Sequence, residues 1–69
     1  MDFSEKMNLF NKLNCYVERG IRIFMLGKPT SPETAVQMVM ENLGSYMADY
    51  VHDKDGVLKE IRYDRVVET

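Results

Sequence analysis

A chain of 69 residues with 45% apolar and 29% charged side chains has ordinary globular composition, which excludes a disordered low-hydrophobicity chain; its length confines it to one small domain, residues 1–69, with a thin core. Its single cysteine, Cys15, excludes an intrachain disulfide and fits a reducing compartment, and its longest apolar run, residues 23–26, is far below the roughly 20 residues of a membrane helix. Net charge is −2 but uneven, with five basic against three acidic residues in 1–28 and a balance of −4 in 29–69; that pattern lacks the strong basic excess of a nucleic-acid-binding domain.

Residues 1–6, MDFSEK, lack the apolar core of a signal peptide. A cytoplasmic protein without membrane attachment is expected. Over residues 4–19, Phe3, Met7, Phe10, Leu13 and Val17 recur at intervals of three and four and predict a helix with those side chains buried, flanked by Leu9 and Tyr16. Gly20 supplies a stop. A competing reading runs the helix on to Leu26, because 3, 7, 10, 14, 17, 21 and 24 form a heptad seam with Asn14 at a core position. The preferred reading makes 21–26 a strand, punctuated by Gly20 and Gly27 and rich in β-forming Ile and Phe.

In "GKPTSPE", Thr30 or Ser31 is the expected N-cap, Pro32 the first helical residue and Glu33 a favourable charge at the positive end. The second helix is predicted at 32–43, burying Val36, Val39, Met40 and Leu43 with Ala35 at the margin; Gly44 ends it. The remainder, rich in Tyr, Val and Ile around Asp53-Lys54-Asp55-Gly56, reads as a C-terminal β-hairpin.

That tetrapeptide resembles part of a calcium loop. With Gly56 at position 6, however, position 1 is Val51 and position 12, which should supply a bidentate carboxylate, is Arg62. As a type I turn every residue fits: Asp53 at the first position, Lys54 and Asp55 in the centre, Gly56 at positive φ. Such a turn with a Gly bulge pairs residues whose numbers sum to 110. Met47 with Tyr63, Asp49 with Ile61 and Val51 with Lys59 then face the core, and Tyr46, Ala48 and Tyr50 face solvent. A two-residue turn at Asp55-Gly56 shifts the register by one, pairing Tyr50 with Ile61, Ala48 with Tyr63 and Asp49 with Arg62. Both registers put Val57, Ile61 and Tyr63 inside.

The expected fold is therefore α+β, helix-strand-helix followed by a C-terminal β-hairpin, with two helices packed on one face of a small three-stranded sheet. No metal, cofactor or catalytic residue is assigned. His52 is the only histidine, so a histidine metal site has no second imidazole; Cys15 with His52 is a conceivable nucleophile and base, but a lone helical cysteine reads first as a small buried hydrophobe. GKPT at 27–30 echoes a phosphate loop, except that Pro29 replaces the required hydroxyl.

The leading expectation is a non-enzymatic protein-interaction or regulatory module, a homodimer or the binder of another, unidentified protein. The reason is that Leu9, Tyr16, Met38, Tyr46 and Tyr50 exceed what two helices and three strands can cover. Tyr16, Tyr46 and Tyr50 are the candidate protein contacts. The secondary reading is a nucleic-acid-binding regulator using Lys6, Lys12, Arg19, Arg22 and Lys28. An inhibitor of a host protein, of the kind mobile elements and phages carry, fits equally well with a small acidic chain.

Overall fold

The computed structural model describes residues 3–66. Its elements are α1 (Phe3–Glu18), β1 (Arg22–Met25), β2 (Lys28–Pro29), α2 (Pro32–Glu41), β3 (Tyr46–His52) and β4 (Leu58–Arg65). The fold is α+β, as expected, but the sheet has four strands in the order β2-β1-β4-β3, with β1 parallel to β4 and the other pairs antiparallel.

The first helix stops where Gly20 permits it. Gly20 adopts φ 84°; its N–H donates to Val17 O at 3.0 Å, and that of Ile21 donates to Tyr16 O at 3.0 Å. Those two bonds are a Schellman closure, which satisfies the last carbonyls and turns the chain out of the helix. The heptad reading to Leu26 fails for this reason. Ile21, freed from the helix, drops into the core beside Ile23 and Met25.

The fourth strand was hidden behind residues that read as stop signals. Met25 pairs with Lys28 across Leu26 (φ 54°) and Gly27 (φ 82°), a two-residue hairpin turn with both central residues at positive φ. Pro29 is tolerated because β2 is an edge strand. Ser31 then caps α2: its Oγ accepts from the Thr34 N–H at 3.2 Å, and Pro32 opens the helix. The helix ends at Glu41, two residues before the expected 43, and Leu43 lies exposed beyond it.

Both helices cover one face of the sheet. The core between them comprises Leu13, Ile21, Ile23, Met25, Ala35, Val36, Ile61 and Tyr63, with Leu9, Phe10, Tyr16, Met38, Val39, Met40, Tyr46 and Leu58 packed around it. Leu13 is thus the buried centre of α1, while Phe3, Met7 and Val17, expected beside it, are exposed. On the opposite face, Phe24 is covered by the Arg62 guanidinium, 4.5 Å from its ring centre, and Arg62 Nη1 bonds Glu60 Oε1 at 2.8 Å.

Asp53-Lys54-Asp55-Gly56 forms the turn. The Gly56 N–H donates to Asp53 O at 3.0 Å, Gly56 takes φ 81°, and Asp53 Oδ1 accepts the N–H groups of Asp55 (2.8 Å) and Val57 (3.0 Å). As the turn dictates, His52 pairs with Leu58; one step later Val51 pairs with Glu60, leaving Lys59 as the extra residue of a bulge. Beyond it Tyr50 pairs with Ile61, Ala48 with Tyr63 and Asp49 with Arg62. The turn is the expected one and the strand register is the alternative one, because the bulge supplies the one-residue shift. Tyr46, Ala48 and Tyr50 consequently lie on the helix side and Met47, Asp49 and Val51 on the outer face, the reverse of the first expectation. Ile61 and Tyr63 are buried; Val57, at the turn, is exposed.

Candidate protein-contact surface

With order β2-β1-β4-β3, β3 is an edge strand, and it exposes more of itself than any other long element of the sheet. Its backbone orientation follows from one bond. Val66 N–H donates to Ser45 O at 2.9 Å, so the hydrogen-bonded partners of β4 are Met47, Asp49 and Val51, and the alternating residues Tyr46, Ala48 and Tyr50 aim their N–H and C=O groups away from the sheet. The independent bond from Leu26 N–H to Tyr63 O at 2.9 Å agrees, since Tyr63 faces Ala48 and turns its own backbone toward β1. The strand contains no lysine or proline to block this edge.

The three tyrosines expected as contacts sit on the helix side of the sheet. Tyr16 and Tyr46 are half-buried against the core, and the Arg65 guanidinium lies 5.9 Å from the Tyr46 ring. Tyr50 is 42% exposed; Lys12 Nζ stands 3.3 Å from its Oη and 5.7 Å from its ring centre. Tyr63, beneath them, has its hydroxyl pKa raised above the ordinary 10, first by burial and then by Tyr50 and Tyr16. Of the side chains expected to exceed the core, Leu9, Tyr16, Met38 and Tyr46 in fact pack against it. The apolar surface left outside is different: Phe3 (75% exposed), Met47 (57%), Val57 (52%) and Leu43 (50%) head it.

A second apolar feature lies between the helices. A groove of about 380 Å³ is floored by Phe3, Met7, Phe10, Val36 and Met40 and rimmed by Lys6, Glu33 and Glu41. Periodicity alone missed it, because it assigned Phe3 and Met7 to the core; the distance of the first turn of α1 from the Leu13 contact was the available signal.

The basic residues of the secondary reading do not converge. Lys6 borders the helix groove, Lys12 leans to Tyr50 on the other flank of α1, Arg22 lies across the β1–β4 ladder from Glu60, Lys28 is in edge strand β2, and Arg19 follows α1. Cys15 is exposed on α1, not a buried hydrophobe, and makes no hydrogen bond to His52, which ends β3. The Asp53 carboxyl is held below its ordinary pKa chiefly by the Val57 N–H, with Asp55 N–H and Lys59 (3.7 Å) adding to the effect against a smaller desolvation penalty. Oδ1 therefore serves the turn, and Oδ2 faces the Lys59 ammonium. Among the described residues, no three His, Cys, Asp or Glu side chains gather as a metal site, and no helix is long and apolar enough to cross a membrane. The chain matches no protein-family model, and neither a curated protein nor a solved structure shows significant similarity to it.

Proposed function

We propose that this chain is a non-enzymatic protein-interaction module that works by self-association. The observation that carries the reading is the apolar surface outside the core: Phe3, Met7, Leu43, Met47 and Tyr50 stand exposed, while among the described residues the largest fully buried side chains are Leu13 and Ile61. A core this small supplies only about 3 to 5 kcal/mol, so burial of the remaining apolar surface against a partner adds materially to the stability of the fold. The dispersal of Lys6, Lys12, Arg19, Arg22 and Lys28 over several faces favours protein over nucleic acid, whose phosphates need a contiguous basic stripe.

Light scattering across a dilution series tests the reading. A dimer that dissociates on dilution, with a thermal midpoint that rises with concentration, is the expected result. A monomer at every concentration, with a concentration-independent midpoint, refutes it.

A further inference from the structure

We propose that the free edge of β3 pairs, antiparallel and about a two-fold axis through Ala48, with the same edge of a second copy, joining the two four-stranded sheets into one. This rests on the self-association read above and specifies its surface. A symmetric dimer requires a self-complementary patch, in which each residue meets the partner of its own partner. The sequence Tyr46-Met47-Ala48-Asp49-Tyr50 has that property about its centre. With the axis at Ala48, Ala48 faces its copy and Tyr46 faces Tyr50 of the second chain, twice over.

The backbone agrees with the side chains. The residues that turn N–H and C=O outward are Tyr46, Ala48 and Tyr50, and in an antiparallel pair outward-facing residues stand opposite each other and exchange two bonds per pair, about six in all. On the helix side the contact consists of two aromatic pairs around a small residue, leaving room at the axis. On the outer face Met47 stands opposite Asp49 of the second chain, while each Asp49 retains Arg62 as its neighbour within its own sheet.

Charge and aromatic pairing together select this register from its neighbours. An axis one residue later, at Asp49, sets two carboxylates face to face, which is destabilising. An axis at Met47 opposes Tyr46 to Ala48 and forfeits both aromatic pairs. Of the two apolar features, the edge alone specifies its occupant: a groove rimmed by Lys6, Glu33 and Glu41 accepts helices of many sequences, whereas a Tyr-Ala-Tyr edge completes itself.

The test uses the full chain. Ala48→Pro removes only a donor that points out of the sheet, so the monomer fold persists by circular dichroism, while two central donors are lost from the dimer and two rings intrude; the dissociation midpoint is expected to rise about 100-fold or more. As a second measurement, Ala48→Cys in a Cys15→Ser background places two thiols across the axis at a Cα separation of about 5.5 Å, within disulfide range, and oxidation is expected to link the dimer. Asp49→Cys in the same background, offset from the axis, is expected to link far more slowly. Wild type monomeric throughout overturns both this proposal and the self-association reading. A wild-type dimer that survives Ala48→Pro, or that links through Asp49→Cys in preference to Ala48→Cys, overturns the edge register alone; loss of that dimer on Phe3→Glu would then place the contact in the helix groove.

Discussion

Deletion of Lys59 is expected to leave the fold nearly intact, whereas deletion of Arg62, three positions away, is expected to abolish most of its stability. Lys59 is the surplus residue of the β3–β4 bulge, between Leu58, which pairs with His52, and Glu60, which pairs with Val51. Without it the ladder closes regularly: Leu58 stays inward, Glu60 outward and Ile61 inward, and every pairing beyond is retained. The chief loss is the exposed 3.7 Å pair with Asp53, a surface contact of small worth, so the variant should lie within about 1 kcal/mol of the parent. Deleting Arg62 offers no such escape. If the bulge persists, Tyr63 swings to the outer face; if the bulge is consumed instead, Ile61 does. Either way one of two fully inward side chains leaves the core, costing roughly 1.5 to 3 kcal/mol for a residue of that size, and Phe24 also loses the guanidinium that covers it. Against a total of about 3 to 5 kcal/mol, that leaves the domain marginal. Urea melts followed by far-UV circular dichroism suit a chain without tryptophan. Equal destabilisation by the two deletions would refute the bulge as the cause of the register.

Ser31→Ala removes the Oγ that caps α2 and should cost about 1 kcal/mol in the same melts, whereas Ser4→Ala, exposed in the first turn of α1, should cost less. The lowered pKa of Asp53 makes the ionised carboxylate the stabilising form. Its contribution is present above the unfolded-state value near 3.9 and lost as pH falls through the lower folded value; Asp53→Asn should flatten the acid limb of the stability curve. Tyr63 behaves oppositely: with its folded pKa raised above 10, stability is full below about pH 10 and declines as pH rises through the folded value. Tyr63→Phe should remove that alkaline decline, readable from thermal midpoints between pH 9 and 11.5.

The elements built on local chemistry were legible in the sequence, and the features set by counting residues across space were not. The cap at Ser31, the closure at Gly20 and the turn at Asp53–Gly56 each depend on a few adjacent residues whose hydrogen-bonding options are narrow. Strand β2 escaped notice because Gly27 and Pro29 punctuate a chain equally well as a boundary or as a tight hairpin with an edge strand. The burial of α1 was misplaced toward its N-terminus: an i, i+3, i+4 stripe shows which face is apolar but not which turns of the helix have sheet beneath them. As for the register, the first reading required Asp49 to face inward opposite Ile61, and an unpaired buried carboxylate is costly. In the observed register Asp49 stands across from Arg62, so the charge pattern held a clue that the turn geometry outweighed. The tyrosines proposed as contacts were named from composition; their placement around Tyr63, with Lys12 against Tyr50, required the fold.

The bulge ties these levels together. In a strand, the face a side chain takes and the direction its backbone groups point are coupled, because each L-residue alternates both at once. With β4 on one side and the helices above, whichever residues of β3 face the helices must also turn their N–H and C=O to the open edge. In the register set by the turn alone, those residues would be Met47, Asp49 and Val51, and a symmetric pairing of that edge centred on its middle residue, Asp49, would bring carboxylate against carboxylate, a guard of the kind edge strands commonly carry. One additional residue in the opposite strand, Lys59, turns β3 over and presents Tyr46, Ala48 and Tyr50 instead. It follows that removing Lys59, which preserves every pairing beyond the bulge, is expected to preserve the proposed edge pairing as well, whereas any change that restores the turn-dictated register is expected to disable that edge even if the chain still folds.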